Sequence, residues 1–252
     1  TANILRFRDE DGKPLLDKIL DVAGQKGTGK WSAIAAMDEN DPLTLITEAV
    51  YARLLSALYP ERIKAASLYS GKLKVESGKL SDNAQLSIED VRQALYAAKL
   101  ISYAQGFSLL RHASEHYGWD LDYGTIARIW RKGCIIRSVF LQKITEAYRK
   151  DPDLENLLFD DFFHTKIQEA LPAWRRVVAE GALSGVALPA MSSALNYFDG
   201  LRTLYSAANM IQAQRDYFGA HTYERTDRER GHFFHTNWTG EGGNTVSGTY
   251  SV

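Results

Sequence analysis

The sequence predicts an all-α fold: a large helical domain with two weakly related helical halves and an extended carboxyl-terminal tail. Three observations predict it. Leu43, Ile46, Val50, Leu54 and Leu58 recur at helical spacing. Residues 88–117 are apolar on most sides behind a Ser87/Asp90 capping pattern, as in a central buried helix. Past Gly219 the character changes, and residues 232–252 are rich in Gly, Thr, Ser and aromatics with no helical period.

In chain order, Ile4, Leu5 and Phe7 are apolar and Asp11-Gly12 makes a turn. Asp41-Pro42 marks a helix start, Asp as cap and Pro at the first helical position. Tyr59-Pro60 ends that helix, and residues 61–73 read as another, followed by a polar stretch through Asn83. At ~1.5 Å per residue, a helix over 88–117 would span about 45 Å.

Two segments then share one pattern. Gly118, Leu121, Ala127, Trp130 and Gly133 match Gly185, Leu188, Ala194, Tyr197 and Gly200 in spacing, which suggests a duplicated helical unit with a shared packing need. Between them, residues 135–148 are amphipathic, and Asp151-Pro152 reads as a further helix start. Pro172 should break or kink the segment 165–181. Pro189 opens the next helix, which itself or by continuation carries the chain to Tyr217. The expected division is 1–231, a helical domain, and 232–252, a tail. Phe233, Phe234, Trp238 and Tyr250 are a large aromatic load for a free end, so the tail is expected to dock on something.

Composition narrows the function classes. The 252 residues are 45% apolar, enough for a substantial core, and the net charge of -1 argues against a nucleic-acid or anionic-membrane surface as main partner. No apolar run approaches the ~18 residues of a membrane span. Cys134 is the single cysteine, which rules out an internal disulfide framework and fits a reducing, cytoplasmic setting. Thr1 rather than Met at the first position reads as a cut in a longer protein.

The chemistry gathers at residues 19–31, Ile-Leu-Asp-Val-Ala-Gly-Gln-Lys-Gly-Thr-Gly-Lys-Trp. Gly24, Gly27 and Gly29 allow positive φ and close approach to a ligand, and Lys26, Thr28 and Lys30 add cations and a hydroxyl. Such a bend can hold a phosphate or carboxylate, or it can be a plain turn between helices with solvated lysines. A nucleotide P-loop fits from Gly24 through Lys30 and then fails. Trp31 stands where a hydroxyl must reach Mg²⁺, and Asp17, Lys18 and Asp21 interrupt the preceding strand.

The run Asp21, Gly24, Gln25, Lys26-Gly27-Thr28-Gly29, Trp31 resembles the signature of the decarboxylating 6-phosphogluconate dehydrogenases. A second stretch, Gln-Ala-Gln-Arg-Asp-Tyr-Phe-Gly-Ala-His-Thr-Tyr at 212–223, is similar to the same family near its carboxyl end. The resemblance runs over essentially the whole chain. It implies an activity: NADP-dependent oxidative decarboxylation of 6-phosphogluconate to ribulose 5-phosphate and CO₂. It also implies a nucleotide-binding domain missing here, with the general base and general acid upstream of residue 1, so no catalytic residue is expected in this chain. Residues 1–18 would finish a long helix arriving from that part. The family's helical domain has two related halves, which fits the repeat. On this reading the chain alone is inactive.

The resemblance also assigns roles. Lys26 would contact the substrate, with Thr28 donating to the same anion or capping a turn. Arg53 otherwise reads as a helix-surface charge, though Val50 and Leu54 set it near a buried face; the family places a substrate-phosphate arginine there. Arg215 and His221 otherwise read as a helix-end cation and an exposed imidazole. In the family they reach the partner subunit's substrate, which implies a homodimer with a composite active site and a tail threading across the partner. Ser247, Gly248, Thr249 and Tyr250 match a tail segment beside the cofactor, or are a frayed terminus.

Three further patterns read otherwise. His112, Glu115 and His116 fit the metal pattern H-x-x-E-H, but no third ligand is evident and packing already explains that helix. Cys134 beside Ile135 and Ile136 reads as packing, and Trp174-Arg175-Arg176 as a helix surface. Two competing functions stay open: a non-catalytic helical dimerisation module, and a related β-hydroxyacid dehydrogenase acting on a smaller acid.

Overall fold

The computed structural model describes residues 1–69, 86–131, 134 and 136–240. Helices carry the chain: α1 (Ala2–Arg6), α2 (Thr28–Asp38), α3 (Thr44–Ala57), α4 (Tyr59–Tyr69), α5 (Ile88–Tyr117), α6 (Tyr123–Ile129), α7 (Leu141–Lys150), α8 (Asp161–Leu183), α9 (Pro189–Leu201) and α10 (Ala208–Gly219). A short antiparallel pair follows, β1 (Tyr223–Glu224) and β2 (Phe233–Phe234), in register Tyr223 with Phe234. The all-α expectation is borne out. No described helix is long and apolar enough to cross a membrane.

The central helix α5 starts as its sequence directs. Ser87 Oγ accepts from the Asp90 N–H at 3.0 Å and the Ser87 N–H donates to Asp90 Oδ2 at 2.9 Å, a complete capping box. Arg176 of α8 donates to the other oxygen of Asp90, so the same carboxylate joins the two longest helices. Between α5 and α8 lie Leu100, Ile101, Phe107, Ile167 and Trp174, all inaccessible to solvent, with Leu141, Ile144 and Leu157 beside them. Each such side chain contributes about 1.5–3 kcal/mol of burial, so this interface is the main stabiliser of the domain.

The repeated pattern has a structural counterpart. Gly118 and Gly185 both take φ +66° at the ends of α5 and α8. In each case the next N–H reaches back to close the helix: Trp119 to the Ser114 carbonyl at 2.8 Å, and Val186 to the Gly181 carbonyl at 2.8 Å. Ala127 and Ala194, at matching offsets, are both fully buried. Trp130 packs on Phe107 at 5.4 Å between ring centroids, whereas Tyr197, at the matching offset, accepts from Asn156 Nδ2 at 3.2 Å through its hydroxyl. Gly133 lies outside the described residues.

Several boundaries differ from expectation. α3 begins at Thr44, not at Asp41-Pro42. Its first turn is served by the buried Gln105 of α5, whose Oε1 accepts from the Leu45 N–H at 3.0 Å and whose Nε2 donates to Thr44 Oγ1 at 2.8 Å. Asp41 instead faces α5, accepting from Ser108 Oγ at 2.7 Å. Asp151 ends α7 rather than opening a helix; Asp160 caps α8, accepting from the Phe162 N–H at 3.0 Å. Pro172 does not break α8. The lost backbone bond is offset by Ala170, Ala173 and Trp174, which are buried on either side of it. Pro189 opens α9 as expected, and the stretch on to Tyr217 is completed by a second helix, α10. α4 starts at Tyr59, two residues earlier than expected, and the stretch 70–85 lies outside the described residues.

The chain forms two compact units, Thr1–Phe198 and a second beginning at Asp199. The division expected at 231/232 runs through the β1–β2 pair inside the second unit. There, residues 235–238 are bonded to α10: the carboxylate of Asp216 accepts from His235, Thr236 and Trp238.

Candidate functional site

In the first unit, residues 21–30 form a glycine-rich corner at the start of α2. Gly27, at φ +104°, turns the chain into α2, and no side chain caps that helix. Its first-turn N–H groups, Thr28 among them, therefore present the positive end of the helix at the loop. An anion suits such a terminus. Lys26, Thr28 and Lys30 are all exposed there.

Close packing brings α3 to this corner. A Cβ on Gly29 would lie 2.8 Å from Val50 Cγ2, so only glycine lets α2 approach that closely. Arg53 sits one turn beyond Val50, and its Nη2 donates to the Gly24 carbonyl. The structure thus joins Arg53 to the loop that carries Lys26 and Thr28.

Two further residues fasten the same loop. Ser56 Oγ accepts from the Ala23 N–H at 2.9 Å and donates to the Arg53 carbonyl at 2.7 Å. Arg62 donates to the Asp21 carbonyl at 3.3 Å and the Ser56 carbonyl at 3.1 Å, and also pairs with the Asp21 carboxylate. That hydrogen bond holds the Asp21 carboxyl below the usual carboxylate range and raises Arg62. Sequence reasoning missed Ser56 and Arg62. Nothing in their spacing marks them, because they meet the loop only through the corner between α3 and α4.

The P-loop alternative fails structurally as well. Ser32 Oγ donates back to the Thr28 carbonyl at 3.0 Å, and the loop is preceded by a 3-10 turn, Leu15–Lys18, not a strand. The H-x-x-E-H residues also point elsewhere. His112 Nδ1 meets Asp41 Oδ2 at 2.8 Å, His116 Nδ1 meets Glu39 Oε2 at 2.8 Å, and Glu115 accepts from Arg111 at 2.6 Å. No group of three or more His, Cys, Asp or Glu side chains placed to hold a metal ion occurs among the described residues.

In the second unit, the end of α10 joins Arg215 to His221. Ala220 takes φ +50°, and the His221 N–H donates to the Arg215 carbonyl at 3.4 Å. A Cβ on Gly219 would lie 2.9 Å from His221 Cδ2, so glycine leaves room for the imidazole. Arg215 Nη1 donates to Gln212 Oε1 at 2.9 Å. Both side chains are half-buried. Asp216, between them in sequence, is buried and unforeseen; the aromatic load around Trp238 was the only hint of it. Ser247, Gly248, Thr249 and Tyr250 lie outside the described residues.

Among the described residues there is no parallel sheet and hence no dinucleotide-binding unit; the sole sheet is the two-stranded β1–β2 pair. The described residues therefore do not by themselves fit NADP.

Comparison with known proteins follows the same lines. The family described as 6-phosphogluconate dehydrogenase, C-terminal domain, matches residues 1–238. The Rattus norvegicus protein named 6-phosphogluconate dehydrogenase, decarboxylating, is 54% identical over 252 residues, covering 100% of this chain and 51% of its own length. The Homo sapiens protein of that name is 53% identical over the same span. A solved structure of Plasmodium falciparum 6-phosphogluconate dehydrogenase, determined in apo form and with NADP⁺ and 6-phosphogluconate, superposes with a TM-score of 0.83 at 41% identity. It covers 94% of this chain and 50% of that one. The chain thus spans about half the length of the relatives it matches. On the family match and this identity along its full length, the chain belongs to the 6-phosphogluconate dehydrogenase family, whose C-terminal domain it forms.

Proposed function

We propose that the protein containing this chain oxidatively decarboxylates 6-phosphogluconate to ribulose 5-phosphate and CO₂ with NADP, and that this chain supplies substrate-phosphate binding and dimer contacts. The observation that carries the reading is the bond from Arg53 to the glycine loop at the uncapped start of α2. A planar guanidinium, the Lys26 ammonium, the Thr28 hydroxyl and free helix N–H groups are matched to a dianionic phosphate. In the reaction, oxidation of a hydroxyl β to the carboxylate gives a β-keto acid. The bond to the carboxyl carbon then breaks, CO₂ leaves, and the resulting enol is protonated. Binding energy from the remote phosphate serves to hold the sugar acid in line for those steps.

The base and acid for them are placed outside this chain, and residues 247–250 are this chain's share in holding the cofactor. Arg215 and His221 are assigned to the substrate of a second copy, which makes the site composite and the homodimer obligatory. Large exposed apolar side chains support extensive covering of this chain: Trp31 at 65%, Met37 at 66%, Leu55 at 61% and Leu68 at 63%. Calorimetric titration of the full-length protein with 6-phosphogluconate, parent against Lys26→Ala and Arg53→Ala, tests the reading. Binding that weakens in both variants supports it. Binding unchanged in both, or absent from the parent, leaves a helical dimerisation module.

A further inference from the structure

Asp216 is a carboxylate with 1% exposure on the last turn of α10, next to Arg215. Its oxygens take three donors from one later stretch: His235 Nδ1 at 2.8 Å, the Thr236 N–H at 2.9 Å and Trp238 Nε1 at 2.8 Å. Its carbonyl accepts from the Ala220 N–H at 2.9 Å, so backbone and side chain are both fixed. Burial alone would push this carboxyl up, but the bonds from His235, Thr236 and Trp238 outweigh it and leave the group below the usual range.

These contacts close a ring of chain. From α10 the ring runs through His221, held to the Arg215 carbonyl, and on to β1, paired with β2. The Tyr223 hydroxyl meets Thr236 Oγ1 at 2.5 Å and its ring lies 6.4 Å from Trp238. Residues 235–238 then return to Asp216. Arg215 and His221 both sit on this ring. A buried acceptor with three directional donors fixes geometry more tightly than apolar contact does, because each lost bond leaves an unpaired buried group.

We propose that Asp216, with Trp238 and His235, is the positioning group for the Arg215–His221 pair and so sets the affinity for the anionic sugar-acid substrate. The inference rests on the reading that Arg215 and His221 bind substrate. It gives residues 235–238 a positioning role toward Arg215 and His221 of their own chain, separate from any contact made by the tail beyond them.

The test uses the full-length protein. Asp216→Asn puts an amide N–H against one of three donors, and Trp238→Phe removes a single donor while keeping the His235 pair. Binding of 6-phosphogluconate is measured by calorimetry, and KM and kcat by NADPH formation. Expected are rises in Kd and KM of about tenfold for Asp216→Asn and about threefold for Trp238→Phe, with kcat changed less. Asp216→Glu, which keeps the charge, should recover part of the affinity. Should Asp216→Asn not fold, Trp238→Phe alone decides. Parental Kd in Trp238→Phe and in any folded Asp216→Asn overturns the proposal, even where thermal stability falls. Arg215→Lys separates the two levels. A raised Kd there with unchanged brace variants removes only the positioning role. An unchanged Kd in Arg215→Lys removes the assignment of Arg215, and the positioning role with it.

Discussion

The guanidinium of Arg53 donates to the carbonyl of Gly24, tying a helix-borne cation to the loop that presents Lys26. The relationship depends on Gly29, because α3 reaches the loop only where α2 lacks a Cβ opposite Val50. Loop, helix terminus and arginine are therefore one construction, and each part can be removed separately.

Arg53→Lys keeps the charge and loses the planar fork. It should weaken 6-phosphogluconate binding by about tenfold or more, since a bond to a charged group is worth roughly 1.5–3 kcal/mol. Thermal stability should change little, because Arg53 is exposed. Calorimetry beside a melting curve checks both halves of this expectation.

Gly29→Ala drives a methyl into Val50 Cγ2. Overpacking of this kind costs about 1–3 kcal/mol. Stability and substrate affinity should fall together, and Val50→Ala in the same chain should restore much of both. A Gly29→Ala protein with parental stability would show that α2 and α3 are not in contact there.

Gly118 and Gly185 end their helices at the same positive φ. Alanine at either should cost at least about 1 kcal/mol from left-handed backbone strain. Similar losses in denaturant midpoints are the signature of one cap used twice; a neutral substitution at either site contradicts it.

Asp90 carries a pH prediction. The Ser87 N–H, followed by Arg176 and the Ser87 hydroxyl, lowers its pKa to about 2. An unfolded aspartate titrates near ~3.9. A depressed folded value means the stabilisation is full above about pH 4 and is lost as pH falls through about 2. The stability gap between parent and Asp90→Asn should therefore shrink over that acid window. A gap constant from pH 5 to 2 speaks against the ionised cap.

The local features of the fold were the legible ones. Ser87 with Asp90 and the apolar run of α5 are written within a few residues and appear where expected, and the first glycines of the repeated pattern, Gly118 and Gly185, share one backbone conformation. Asp41-Pro42 misled because a residue far along the chain, Gln105, serves the start of α3. Asp151-Pro152 misled because Asp151 closes α7, and the cap of the next long helix, Asp160, lies nine residues further on. Pro172 leaves α8 unbroken because burial on both sides of it outweighs one missing hydrogen bond. Of the proposed substrate contacts, the glycine run pointed to Lys26 and Thr28 in the first unit, and the resemblance to Arg53 there and to Arg215 and His221 in the second. Arg62, Ser56 and Asp216 stayed hidden, since each acts through a partner fixed only by tertiary structure.

The most direct measurement compares two ligands, 6-phosphogluconate and gluconate, titrated into the full-length parent protein and into Arg53→Ala. The account predicts that the parent binds the phosphorylated acid at least about 100-fold more tightly, as several charge-assisted bonds allow. It also predicts that Arg53→Ala loses most of that preference while gluconate binding barely moves. A preference for the phosphate that survives intact in Arg53→Ala would contradict it.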